Sequence, residues 1–208
     1  MSTSRELKFQ SEGFSLEARL HAARGEGGAV VAPPHPLYGG SMSNPVVQIA
    51  IDAFVEVGVS ALAFNYRGTE RSKGVASSSL DASTSDYRAA LDALRAEVSG
   101  PTFAAGYSFG AGTALLSVRD DPGLVGLVLI APPLGMLRSE DLVAFAGKVL
   151  LVVGDDDEYS PLPELRALLA DAPKVKLAVL PGVDHFFHFG GLPALYSLLK
   201  EELREWVQ

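Results

Sequence analysis

The chain has 208 residues, enough for one α/β domain with a sizeable core, and 48% of them are hydrophobic, which excludes a disordered chain. A net charge of −8 argues against nucleic acid as a partner, and the absence of cysteine removes disulfides, thiol catalysis and thiolate metal sites. No apolar run is long enough to span a bilayer, and no apolar segment follows the polar start Met1–Glu6, so the expectation is a cytoplasmic protein without a membrane partner.

The chain opens on a predicted hairpin: Leu7 and Phe9, then Phe14, Leu16, Ala18 and Leu20, alternate with polar residues around Ser11-Glu12-Gly13. His21 lies there as a surface or edge residue. Ala29–Ala32 is a short apolar run of the kind buried on both faces of a sheet. A loop runs from Pro33 to Ser43. Asn44 as cap, Pro45 in the first turn and Gly58 past the end mark a helix, and Val59–Phe64 reads as strand. Ser72–Ser85 reads as a loop leading into a helix over Ser85–Val98, which Gly100-Pro101 stops. Thr102–Ala105 reads as strand, Ala111–Val118 as helix, Leu124–Ala131 and Lys148–Val153 as strands. Pro161–Leu169 follows as helix, Val175–Leu180 as strand, and Leu192–Val207 as a closing amphipathic helix carrying Trp206. Alternating strands and helices predict one domain over residues 1–208, a mostly parallel sheet with helices on both faces. In such sheets the ligand site lies beyond the carboxyl ends of the strands.

Between a strand and a helix stands Gly106-Tyr107-Ser108-Phe109-Gly110, of the form G-x-S-x-G. Its glycines permit a tight turn that exposes a nucleophilic serine; the plainer reading of Ser108 is a helix cap. A serine hydroxyl needs a base to take its proton. His185 follows the strand Val175–Leu180 and the turn Pro181–Asp184, and imidazole is the side chain type suited to a proton shuttle. His188 is its rival; a metal held by both is disfavoured because few carboxylates accompany them. For the acid that orients the imidazole, Gly154-x-x-Asp157-x-x-x-Pro161 places Asp157 first, Asp155 second and Asp184 third. An oxyanion hole needs two amides. Phe109 offers one at a helix start. Because Pro36 has no N–H, Leu37 is the first donor in the loop Pro33–Ser41, with Tyr38 as alternative, and His35 braces the loop.

These residues carry a resemblance. Pro34-His35-Pro36-Leu37-Tyr38-Gly39-Gly40, Phe64-Asn65-Tyr66-Arg67-Gly68, the serine turn, Gly154-x-x-Asp157 and Asp184-His185-Phe186-Phe187 resemble small, lid-less, bacterial-type α/β-hydrolases of the serine hydrolase superfamily. The resemblance implies the α/β-hydrolase fold with no cap domain, a triad of Ser108, Asp157 and His185, no cofactor, no metal, and hydrolysis of esters or related acyl groups. The chain departs at His35-Pro36, where many relatives carry His-Gly, and at Glu70, where relatives usually have glycine; the plain reading of Glu70–Arg71 is a solvated surface pair.

Pro132–Gly147 holds only a loop and one short helix, so no lid fits after the strand ending near Ala131. The expected cleft is shallow and open, walled by Tyr38, Leu134, Met136 and Phe186 among others, and suited to a small acyl ester. A thioesterase, or a ligand-binding protein on the same fold with little turnover, is the alternative. Nothing in the sequence sets the oligomeric state.

Overall fold

The computed structural model describes residues 3–207; Met1 and Ser2 of the polar start lie outside the described residues. The alternating opening forms the hairpin, β1 (Thr3–Ser11) paired antiparallel with β2 (Phe14–Ala22). Its two-residue turn, Glu12-Gly13, has φ of 46° and 85°, the doubly positive geometry that matches strand twist. β2 pairs antiparallel with β4 (Ser60–Phe64), and from there the sheet is parallel. β3 (Gly28–Ala32), β5 (Thr102–Tyr107), β6 (Leu124–Ile130), β7 (Lys148–Gly154) and β8 (Val175–Leu180) complete eight strands in the order β1-β2-β4-β3-β5-β6-β7-β8. This is the α/β-hydrolase fold.

Strand side chains alternate between faces, so each central strand feeds two cores. Val30, Ala32 and Ala104 join Tyr87 and Leu91 of α2 (Leu80–Arg95) and Leu115 of α3 (Phe109–Val118). Leu142 of α4 (Ser139–Ala144) and Leu165 of α5 (Leu162–Leu169) close the same face. On the other face Ala29, Val31 and Ala105 meet Val47, Ile51 and Phe54 of α1 (Pro45–Glu56) and Leu195, Leu199 and Leu203 of α6 (Gly191–Val207). Each fully buried Leu or Phe contributes about 1.5–3 kcal/mol relative to exposure. Trp206 stacks on Phe103 at 6.3 Å and lies over Gly126, where any side chain would strike the indole.

Two helices begin earlier than their apolar stripes suggest. α2 starts at Leu80 because the Ser79 hydroxyl accepts the Ala82 N–H and Asp81 suits the helix dipole. α3 starts at Phe109, directly on the serine turn. Between β6 and β7 lie a 3₁₀ turn at Leu134–Met136 and α4, with no lid among the described residues.

Candidate active site

Ser108 stands where β5 turns into α3, with φ 55° and ψ −121°, a strained backbone for a residue bearing a Cβ. Its N–H donates to Ile130 O at 2.8 Å, fixing the turn to β6. The flanking glycines are required by packing: a Cβ on Gly106 would strike the Gly110 carbonyl, and one on Gly110 the Pro33 carbonyl. The Ser108 side chain makes no cap bond, which removes the capping reading; its Oγ lies 2.9 Å from His185 Nε2.

His185 sits on the loop between β8 and α6, only 5% exposed. Its Nδ1 lies 3.0 and 2.9 Å from the two carboxylate oxygens of Asp157, which is 3% exposed. Asp157 is held in turn: its Oδ1 accepts the Tyr159 N–H at 2.8 Å and the Ser160 N–H at 3.1 Å. The Tyr107 hydroxyl donates to the His185 carbonyl oxygen at 3.0 Å; burial raises its pKa, with Asp157 and Asp184 adding to the shift. Gly154 lets the two loops meet, since a Cβ there would collide with the Val183 carbonyl.

The other acids have other duties. Asp155 accepts the Gly182 N–H and caps the turn before His185. Asp184 accepts the His188 N–H at 3.0 Å and lies 2.7 Å from His188 Nδ1; these contacts, the N–H first, hold its carboxyl below the usual range. His188 is thus on the outer side of the loop, and no cluster of three or more His, Cys, Asp or Glu able to hold a metal occurs among the described residues.

The loop after β3 corrects the sequence reading of the amide donors. The Leu37 N–H donates to His35 Nδ1 at 3.2 Å, and the Tyr38 and Gly40 N–H groups both donate to His35 O at 3.1 Å. A short 3₁₀ turn over Pro36–Tyr38 makes these bonds local, and Leu37 is 54% exposed, off the cleft. The turn leaves the His35 N–H with no protein acceptor among the described residues. His35 borders the cleft, its ring centroid 4.6 Å from that of Phe109. Loss of solvent lowers the imidazole pKa, in keeping with its acceptor role. The Phe109 N–H, at the first turn of α3, has no intrahelical partner.

A cleft of about 590 Å³ opens over Ser108, walled by His35, Tyr38, Tyr107, Tyr159 and Phe186, with Asn44 at one side. Leu134 and Met136 are not part of it: both pack toward the α3 face, Met136 against Gly112. Tyr159, whose ring centroid lies 4.4 Å from that of His185, takes their place. The signal for Tyr159 was its position two residues after Asp157, inside the turn that presents the acid. Glu70 has φ 48° and accepts from Asn65 Nδ2 at 2.9 Å, while Arg71 contacts Glu6 and Glu17, so the Glu70–Arg71 pair does not form.

A mostly parallel sheet, a serine turn beyond its central strand and no lid among the described residues define an α/β-hydrolase of the serine hydrolase superfamily. Solved structures agree. The chain has a TM-score of 0.85 and 29% identity with an α/β serine hydrolase homologue from Coxiella burnetii, covering 96% of this chain and 97% of that one. It reaches TM-score 0.89 and 27% identity with a putative α/β-hydrolase of unknown function from Agrobacterium tumefaciens, covering 98% and 96%. With an α/β serine hydrolase without lid from Xanthomonas campestris the values are 0.86 and 28%, covering 98% and 94%. The chain belongs to the family described as serine aminopeptidase, S33, whose profile matches residues 39–146. That match contains Ser108 and stops before Asp157 and His185.

Proposed function

We propose that this chain cleaves small acyl esters through an acyl-enzyme on Ser108. The observation that carries the reading is the continuous relay from Ser108 Oγ to His185 Nε2 at 2.9 Å and from His185 Nδ1 to Asp157 at 2.9 Å, opening onto a cleft. His185 Nε2 takes the hydroxyl proton as Oγ bonds to the ester carbonyl carbon. The carbonyl oxygen becomes the oxyanion, held by the Phe109 and His35 N–H groups; one such donor is worth about 10²–10³ in rate. Collapse breaks the bond to the alcohol oxygen, which leaves with the proton from Nε2. Water then gives its proton to His185 and attacks the acyl carbon; the bond from that carbon to Oγ breaks, Oγ takes the proton back from Nε2, and the acid and Ser108 are freed. Asp157 fixes the imidazole tautomer and stabilises its cation.

Esters suit this cleft better than peptides with a free amino end. An aminopeptidase needs an anion for the substrate ammonium, and none of the residues lining the cleft is Asp or Glu. Thioesters would use the same machinery.

The test is p-nitrophenyl acetate turnover together with labelling by a serine-reactive phosphonate. Ser108→Ala is expected to lose labelling and to lower kcat by at least about 10³-fold. Labelling of Ser108→Ala as strong as that of the unaltered chain overturns the assignment.

A further inference from the structure

A second apolar cavity of about 570 Å³ lies beside the Ser108 cleft, on the face of the sheet that carries α1 and α6. The two spaces share the walls Asn44, Tyr107 and Phe186. Beyond Phe186 the cavity is lined mainly by Pro45, Val46, Phe189, Leu192 and Pro193, with His188 as a polar side chain on its wall. We propose that this cavity is a subsite for an aromatic or branched alkyl group on the alcohol side of the ester; the inference rests on the hydrolase reading above and deepens it.

Three observations carry it. The first is continuity: Phe186, 53% exposed, is a partition between two open spaces and not a plug in a core. The second is the backbone of the wall. Phe187 and Phe189 have φ of 58° and 49°, a region that bulky residues avoid. Asp184 holds the start of this turn: its carbonyl accepts the Phe187 N–H at 3.2 Å and its carboxylate the His188 N–H at 3.0 Å. The result buries Phe187 against Tyr107 and leaves Phe189 fully exposed at the cavity mouth. A ring held in water by a strained backbone is available to cover an apolar ligand. The third is direction. His185 Nε2 must reach both Ser108 Oγ and the departing oxygen, so the alcohol leaves on the histidine's side. The wall Phe186–Gly190 follows His185 directly and flanks that exit.

Benzyl acetate and methyl phenylacetate are isomers that carry the ring on opposite sides of one ester bond. The unaltered chain is expected to show kcat/KM at least about tenfold higher for benzyl acetate. Leu192→Trp fills the cavity and should lower that value, relative to ethyl acetate measured on the same variant, by about five- to tenfold. Phe189→Gly keeps the fold, since glycine suits the positive φ, and should reduce the isomer ratio by about three- to tenfold. Equal or reversed isomer preference, or an equal fall for both isomers in Leu192→Trp, overturns the subsite while Ser108-dependent cleavage of ethyl acetate leaves the hydrolase reading standing. If no ester is turned over and Ser108 is not labelled, both fall.

Discussion

Tyr107 stands one residue before Ser108, yet its hydroxyl reaches across to the loop of the proposed base. It donates to the His185 carbonyl oxygen at 3.0 Å, and its raised pKa keeps it a donor at any working pH. The contact ties the strand that carries Ser108 to the backbone that aims the imidazole. Tyr107→Phe keeps the ring as a cleft wall and removes only this bond. The expected result is a fall in kcat of about five- to tenfold with KM within about twofold, and a stability loss near 1 kcal/mol. A purely structural role would leave kcat and the rate of phosphonate labelling unchanged while Tm fell. At this scale Ser108, Asp157 and His185 were legible in the sequence because each follows its own strand, and chain order then pairs them. The free amide was not. Whether Leu37 can donate depends on where His35 Nδ1 lies, and a 3₁₀ turn settles that in space.

The elements are joined to the site by polar clamps that periodicity does not reveal. Asn65, fully buried at the end of β4, accepts the Met42 N–H at 2.7 Å and donates to Glu17 and Glu70, each at 2.9 Å. It therefore holds the loop that presents His35. Glu70 replaces the expected glycine, and its bond to Asn65 opposes the cost of its positive φ. Arg67 makes the second clamp: its guanidinium meets Asp86 of α2 at 2.7 Å and Glu12 of the hairpin turn at 2.9 Å, and its N–H donates to Asp86 at 3.0 Å. Asp86 is fully buried, and it raises the Arg67 pKa more than Glu12 does. Asp86→Ala would leave a largely buried cation and an amide without a partner. The expected loss is about 3–5 kcal/mol, or roughly 6–20 °C in Tm. Adding Arg67→Met should recover part of it by thermal melting; additive losses would show that the two groups do not act as a pair. The α2 start was readable from Ser79 and Asp81. The apolar stripe hid it, because the first turn of the helix faces solvent.

Across the whole molecule, the Ser108–His185–Asp157 relay and the partly buried His21 lie at opposite ends of the sheet. Every residue of the relay follows the carboxyl end of a parallel strand, a consequence of the strand–helix alternation that the apolar periodicity of the chain already carries. His21 is different: it pairs with Ala61 near the start of β4, and its Nε2 is buried with no partner among the described residues. Burial first, then Arg19, lowers its pKa below 6.5, with Asp52 opposing; burial alone lowers that of His35. Both groups have folded values below their unfolded ones, so the unfolded chain binds more protons as pH falls. The stability they support is present above about pH 6.5 and is lost as pH drops through the lowered folded values. The carboxylates with lowered values, Glu12 and Asp184, start from 4.5 and 3.8, so their losses come at lower pH. His21→Leu should therefore raise Tm more at about pH 5 than at about pH 7.5. At the higher pH the gain is only that of removing an unpaired polar atom, about 1 kcal/mol or roughly 2–4 °C. Because His21 is remote from the Ser108 cleft, kcat per folded molecule should not change at either pH. An equal rise in Tm at both values would show that His21 titrates alike in the folded and unfolded chain, and would place the acid sensitivity elsewhere in the molecule.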